Sequence, residues 1–302
     1  MELQTNLAGI SLEHPLMNAA GTCKLLEGKD GVEKLARSAT SAIMIGSIPL
    51  EFREGNSGNV YWADGRFSLN SLGIPNPGAK YYKKALPEMV RVAHGQGKKL
   101  FVSAAGFSPS EYAQLAVVAF EGGADLVELN FGCPNLWKDD QQKRIACFDP
   151  DLSGEILYFT EKEVGQEAKI SVKISPFSDP FALGEIANVI KQSRMVKAVT
   201  AINTFPNAFG YDGKGNPCIT PAGGLAGLAG PALKPIGLGQ IKQLRDMLPE
   251  HIDLIGVGGI TTGQDVLDYL RAGARAVQIA TVLLQKGAEV FGDILSEMVN
   301  AV

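Results

Sequence analysis

Cysteine is scarce in this chain: there are four in 302 residues, Cys23, Cys133, Cys147 and Cys218, and no two form a CxxC pair. That scatter suggests neither a disulfide framework nor a thiolate zinc site. A surplus of positive charge is missing too. Lys and Arg number 28 against 32 Asp and Glu, the formal net charge is -4, and no basic stripe appears. These features argue against nucleic acid as a partner. No stretch approaches the ~20 consecutive apolar residues that a membrane span needs. The opening MELQTNLAGISLEHP lacks the charged segment and apolar run of a signal peptide, and nothing in it suggests a transit peptide. No Gly/Ser-rich linker and no shift in composition interrupts the chain. What is present is an ordinary globular balance, 45% hydrophobic and 20% charged. The expectation is one domain over residues 1–302, cytoplasmic, off the membrane, with reduced thiols.

Short apolar runs recur along the chain, each ending in small or polar residues. They are PLMNAAG (15–21), AIMIGS (42–47), LFVSAAG (100–106), LVELNFG (126–132), ISVKIS (170–175), VTAINT (199–204), LIGVGG (254–259) and VQIAT (277–281). Runs of this length without polar alternation fit strands buried on both faces of a parallel sheet. Amphipathic helical patterns lie between several of them, over residues 111–120, 180–192, 239–247 and 263–272. Strands alternating with helices predict an α/β fold, a (β/α)8 TIM barrel. A doubly wound sheet is the rival, but eight units in a chain of this length favour closure. Residues 48–80, 133–155 and 205–235 are too long for simple barrel connections. All three follow the C-terminal ends of strands, the face that carries barrel active sites. They are expected to form lids or substrate walls, with a hairpin turn over residues 211–216.

The strand ends present Asn18, Gly46-Ser47, Asn130 with Cys133 and Asn135, Lys173, Asn203-Thr204, Gly258-Gly259 and Ala280-Thr281. A barrel gathers them at one mouth. The set has several amides, a lysine, a thiol and glycines, but no acidic pair and no clustered histidine. Glycoside hydrolysis and a metal site are both disfavoured. Bare N–H groups at Gly258-Gly259 and at Ala280-Thr281 suit a phosphate, with a helix start expected at Thr261-Thr262. Taken alone, those glycines would equally make tight turns. Asn130-Phe-Gly-Cys133-Pro134-Asn135 puts a thiol just beyond a strand end, between two amides that suit a planar, amide-bearing ligand. The other three cysteines read as buried structural thiols. Lys173, in an apolar run, is costly to bury without an anionic partner. A flavin ring edge that gains negative charge on reduction would offset that cost, and a stem that snorkels to water is the alternative.

These residues together resemble the dihydroorotate dehydrogenase family over nearly the whole chain. The motifs are NxxCPN (130–135), LNSLGIPN (69–76), VKIS (172–175), INT (202–204), GLAGPALKP (227–235) and GVGGI (256–260). The resemblance implies an FMN-containing barrel that oxidises dihydroorotate to orotate, and a homodimer. It implies that Cys133 is the base that takes the C5 proton while hydride leaves C6 for flavin N5. It implies that Asn70, Asn130, Asn135, Asn203 and Thr204 grip the pyrimidine and its carboxylate, helped by backbone at Leu72 and Gly73. Lys173 resembles the lysine at the flavin ring. Ala19, Ala20, Gly21, Gly46, Ser47, Asn130 and Ile202 resemble further flavin contacts, and Gly230, Gly258, Gly259, Ala280 and Thr281 phosphate contacts. The Cys base resembles the soluble class. Within it, GGLAGxxGPALKP is similar to the NAD-linked type, which works with a separate iron–sulfur flavoprotein subunit. LNSLGIPN is similar to the fumarate-reducing type.

One departure stands out. Soluble members carry a lysine where this chain has Gly46-Ser47. The membrane-associated class shows the same Gly-Ser, with its lysine moved into an AAGxxK run, and here Ala19-Ala20-Gly21-Thr22-Cys23-Lys24 matches that run. The expectation is that Lys24 fills the vacated place. The loop LWKDDQQKRIAC (136–147) is also unusual, either an altered lid or a solvated, charged loop. Two further readings stay open. One is a flavin-dependent oxidoreductase for another dihydropyrimidine or enone. The other is a non-catalytic barrel that binds a phosphate-bearing ligand.

Overall fold

The computed structural model describes residues 3–23, 31–138 and 141–301. Its centre is an eight-stranded parallel sheet rolled into a barrel. The strands are β1 (Leu16–Asn18), β2 (Ala42–Ile48), β3 (Lys99–Ala104), β4 (Leu126–Asn130), β5 (Ile170–Ile174), β6 (Val196–Ala201), β7 (Asp253–Val257) and β8 (Ala276–Ile279). Their order around the sheet is β1-β8-β7-β6-β5-β4-β3-β2, as the apolar runs predict. The helices on the outside are α1 (Gly31–Arg37), α2 (Ala79–Gly95), α3 (Pro109–Glu121), α4 (Pro150–Val164), α5 (Pro180–Gln192), α6 (Lys234–Met247), α7 (Gly263–Arg271), α8 (Thr281–Lys286) and α9 (Val290–Asn300). The helix α6 starts before the expected residue 239, because Pro235 suits a first turn and the glycines behind it do not stop the helix. Among the described residues no helix is long and apolar enough to cross a membrane.

Local chemistry sets the helix starts. Ser108, Asp149 and Asp179 each cap a helix through the side chain, and a proline follows in the first turn. Thr262 and Asp265 form a reciprocal capping box at α7, at the expected start. Because α4 already begins at Pro150, the connection expected over residues 133–155 closes sooner. It holds a short strand pair, Trp137–Lys138 with Gln141–Gln142, and a 3₁₀ turn over Ala146–Phe148.

The eight strands alternate inward and outward. Val127, Leu129, Val172, Val199 and Val277 pack outward against the helices. At the bottom, Met17, Met44, Phe101, Leu126 and Ile255 meet Leu7, Ile10 and Leu12 of an N-terminal hairpin, Thr5–Leu7 with Ile10–Leu12. The hairpin plugs the barrel. Above this layer the interior turns polar, with Ser171, Lys173, Thr200, Glu128 and Gln278 all buried.

The seam between β1 and β2 is closed differently from the others. Asn18 Nδ2 donates to Met44 O at 2.8 Å, and Met44 N donates to Asn18 Oδ1 at 2.9 Å. The side chain thus copies a peptide group and stitches two strands together. Asn18 is fully buried. It does not face the mouth, as its place at a strand end suggested, because its amide is spent on this seam.

Two of the long connections meet over the mouth. Tyr61–Ala63 and Ser68–Asn70 come from the connection after β2. Phe205–Ala208 and Ala226–Ala229 come from the one after β6. They form one antiparallel sheet, in the order 205–208, 226–229, 68–70, 61–63. The expected hairpin turn is present too: Tyr211 pairs with Pro217, and Asp212 Oδ1 accepts the N–H groups of Lys214 and Asn216.

Candidate active site

Two adjoining cavities open at the C-terminal mouth of the barrel, and Ala20, Lys173 and Asn203 line both. The first is glycine-rich. Its wall includes Ala19, Ile202, Thr204, Gly230, Gly258, Gly259, Ala280 and Thr281. Gly258 and Gly259 have φ of 129° and 69°. A Cβ on Gly259 would come within 2.6 Å of Lys234 N, so the turn needs a bare backbone there. Asp265 holds this corner: its Oδ2 accepts from Thr261 N at 2.8 Å and from Thr262 N at 2.9 Å. Lys234 donates to Asp265 and to Asp268. Thr281 Oγ1 lies 3.0 Å from Ser68 Oγ, and either hydroxyl can be the donor. Thr204 has no such partner. Its Oγ1 is buried without a hydrogen-bond partner, pressed close to Gly227. A buried, unpaired hydroxyl in a glycine cradle fits a cavity built for a polar, phosphate-bearing ligand.

The second cavity brings together Gly21, Gly46, Ser47, Asn70, Leu72, Gly73, Asn130, Cys133 and Asn135. The amides are wired to one another. Asn130 Nδ2 donates to Ser47 Oγ at 2.9 Å, and Asn203 Nδ2 donates to Asn130 Oδ1 at 3.0 Å. Asn135 Nδ2 donates to Asn70 Oδ1 at 2.8 Å, and Asn70 Nδ2 donates to Gly227 O at 3.2 Å. Side chains locked in this way present a fixed pattern of donors and acceptors. Ser47 is in turn 2.8 Å from Ser103 Oγ. Arg53 Nε donates to Gly73 O at 3.1 Å and so holds the 72–73 backbone in place.

Cys133 is a half-buried free thiol. Burial pushes it up, while a backbone hydrogen bond at Asn135 and the charges of Lys143, Arg53 and Lys173 pull it down. The other three cysteines are free and buried. Lys143 and Arg53 lie over the ring of Phe107, at 4.3 and 4.8 Å from its centroid. Lys143 Nζ donates to Gly106 O at 2.7 Å. Burial pushes the Lys143 ammonium down to about 8, against the raising effect of Cys133 and Glu111.

Thus, among the described residues, every site residue that the family resemblance implied lines one cavity or the other, while Asn18 of the strand-end set does not. Lys24 lies outside the described residues. The snorkelling alternative for Lys173 fails, since the residue is only 5% exposed. The protein itself also supplies Lys173 with an anionic neighbour, one the sequence reading did not name: Glu128 Oε1 lies 3.9 Å away, on the inward face of β4. Sequence reasoning also missed Arg53 and Lys143. Lys143 belongs to the 136–147 loop, which reads as either an altered lid or a solvated loop, and it folds back over Phe107. Among the described residues no His, Cys, Asp or Glu cluster could hold a metal ion.

A family model described as dihydroorotate dehydrogenase matches residues 2–302. The chain is 33% identical over 298 residues to the dihydroorotate dehydrogenase B (NAD(+)) catalytic subunit of Thermoplasma acidophilum, covering 98% of this chain and 92% of that one. It is 31% identical over 299 residues to dihydroorotate dehydrogenase A (fumarate) of Lactococcus lactis subsp. cremoris, covering 98% and 93%. A crystal structure of DHODH from Eimeria tenella in complex with ferulenol superposes with a TM-score of 0.81 at 19% identity, over 99% of this chain and 84% of that one. That last likeness concerns the fold.

Proposed function

This chain belongs to the dihydroorotate dehydrogenase family, and on that premise we propose that it oxidises dihydroorotate to orotate with FMN. The observation that carries the reading is a thiol, Cys133, in one cavity with Asn70, Asn130, Asn135 and Asn203, joined through Lys173 to a glycine-lined second cavity. FMN, when bound, supplies the hydride acceptor. The glycine-rich cavity would hold it, with backbone at Gly230, Gly258, Gly259 and Ala280 toward the phosphate and Ala19, Ala20 and Ile202 along the ring. Thr204, whose Oγ1 has no hydrogen-bond partner, lines the same cavity.

The protein's own share is placement and proton transfer. The wired amides orient a planar ring that carries amide N–H and C=O groups. Cys133 Sγ takes the C5 proton as a thiolate, so the thiol must first ionise. Lys143, Arg53 and Lys173 favour that thiolate electrostatically. The loop from Leu72 to Asn76 forms one wall of the second cavity. The redox chemistry belongs to the cofactor.

We read the chain as one domain, cytoplasmic and homodimeric. The likeness to a protein named as an NAD(+)-type catalytic subunit supports a partner subunit that takes the electrons, and the GGLAGxxGPALKP resemblance makes that partner an iron–sulfur flavoprotein. The decisive experiment is anaerobic. Purify the protein, record its flavin spectrum and add dihydroorotate; the visible flavin band should bleach. A bound flavin that stays oxidised would redirect the reading to another dihydropyrimidine or an enone. A colourless protein would favour the non-catalytic phosphate-ligand barrel.

A further inference from the structure

The barrel interior holds a charge that the proposed chemistry does not use. Glu128 points inward from β4 and is fully buried. Its Oε2 accepts from Thr200 Oγ1 at 2.8 Å and from Gln278 Nε2 at 3.0 Å. Its Oε1 has no hydrogen-bond partner and lies 3.9 Å from Lys173 Nζ. Lys173 Nζ also donates to Gln278 Oε1 at 3.2 Å. One amide thus clasps both charges.

Oε2 takes both hydrogen bonds, and Oε1 faces the ammonium. Buried ion pairs add little net stability, because desolvation cancels most of the attraction. Stability alone therefore gives no reason for a buried pair at this depth. Its place supplies one, since Lys173 lines both cavities.

We propose that Glu128 is a positioning residue which, with Gln278, fixes the Lys173 ammonium and sets the redox balance of a flavin bound above it. This rests on the reading of the first cavity as an FMN site. A lysine beside a flavin favours the reduced, more negative form. A carboxylate behind that lysine offsets part of its charge and holds the flavin closer to the oxidised form.

The test measures the flavin midpoint potential of the holoenzyme by anaerobic equilibration with reference dyes. Glu128→Gln keeps the shape and removes the charge. The variant should retain flavin, and its preference for reduced over oxidised flavin should rise about tenfold, a positive shift of ~30 mV for a two-electron couple. A change below about twofold would overturn the proposal, since a merely structural role does not move the potential in one direction. If Glu128→Gln fails to fold with its lysine left unpaired, Lys173→Met and the double variant Glu128→Gln/Lys173→Met carry the test. Removing both buried charges together is tolerated better than removing one. Lys173→Met should lower the potential and the double variant should raise it again; equal potentials would overturn the proposal. Wild-type protein that purifies without flavin would instead overturn the functional reading, and this inference with it. Flavin that is present but not reduced by dihydroorotate would overturn only the substrate, because the dye titration still reads Glu128.

Discussion

Cys133 is pulled in two directions, and the balance sets how the reaction should respond to pH. Burial raises the thiol above its ordinary value, and the charges of Lys143, Arg53 and Lys173 recover only part of that rise. At neutral pH the thiolate is then a minor form, and turnover should climb as pH rises into the alkaline range. A pH–rate profile checks this. Lys143 sheds its proton at about 8, ahead of the thiol, so the more telling change is Arg53→Met, which removes a guanidinium charge that favours the thiolate: the rising limb should move to higher pH, and an unmoved limb would show that Arg53 does not reach the thiol. Cys133→Ala should keep its flavin, because the thiol lines only the second cavity, and should lose roughly 10²–10⁴-fold in turnover. Undiminished turnover would remove Cys133 from its role. Cys133 and its flanking amides were legible because the NFGCPN run sits at a strand end. Glu128 was not. In LVELN it is one polar residue in an apolar run, and the inward alternation that gives it meaning is hidden when both faces of a strand are buried.

The corner between β7 and α7 shows how one short element carries a cavity wall. Asp265 closes the capping box with Thr262, accepts from Thr261 and pairs with Lys234. Burial opposes its ionisation, but the Lys234 contact and the Thr261 and Thr262 hydrogen bonds win, and the carboxyl group stays below its usual 3.8. Asp265→Ala should cost about 2 kcal/mol in urea unfolding at neutral pH. The sign with pH follows from the lowered value: the carboxylate's contribution is full above the ordinary carboxylate range and is lost as pH falls through the folded-state value. The gap between wild type and variant should therefore narrow in acid. Flavin retention should weaken too, since Gly258 and Gly259 lean on this corner. The start of α7 was readable from Thr261-Thr262, and the strands from their apolar runs. The start of α6 was not, because the glycines at 237 and 239 mask a helix that packing secures.

At the scale of the molecule, the barrel is a continuous parallel ladder except at one seam, which Asn18 holds at its middle, between the bonds from Ser41 to Leu16 O and from Gly21 N to Gly46 O. Asn18→Ala would leave Met44 N–H and C=O buried without these partners, and should destabilise the protein by about 3 kcal/mol in thermal or denaturant unfolding. A loss below ~1 kcal/mol would mean the seam closes without it. The closed barrel was predictable from eight runs of suitable length. The joining of two distant connections into one sheet was not, because each contributes strands of only three or four residues. That sheet has a consequence for how the chain is made. Ser68–Asn70 must wait for Ala226–Ala229 to be synthesised before its second edge is covered. At the usual pace of translation the delay is on the order of ten seconds. During that time the hairpin over residues 61–70 has both outer edges open, and the pocket has no roof. The binding surface is therefore among the last parts of the molecule to be completed, and a nascent chain halted before residue 226 would own six of the eight barrel strands and the amides of the second cavity, yet lack the strand that covers them and the late glycines of the first cavity.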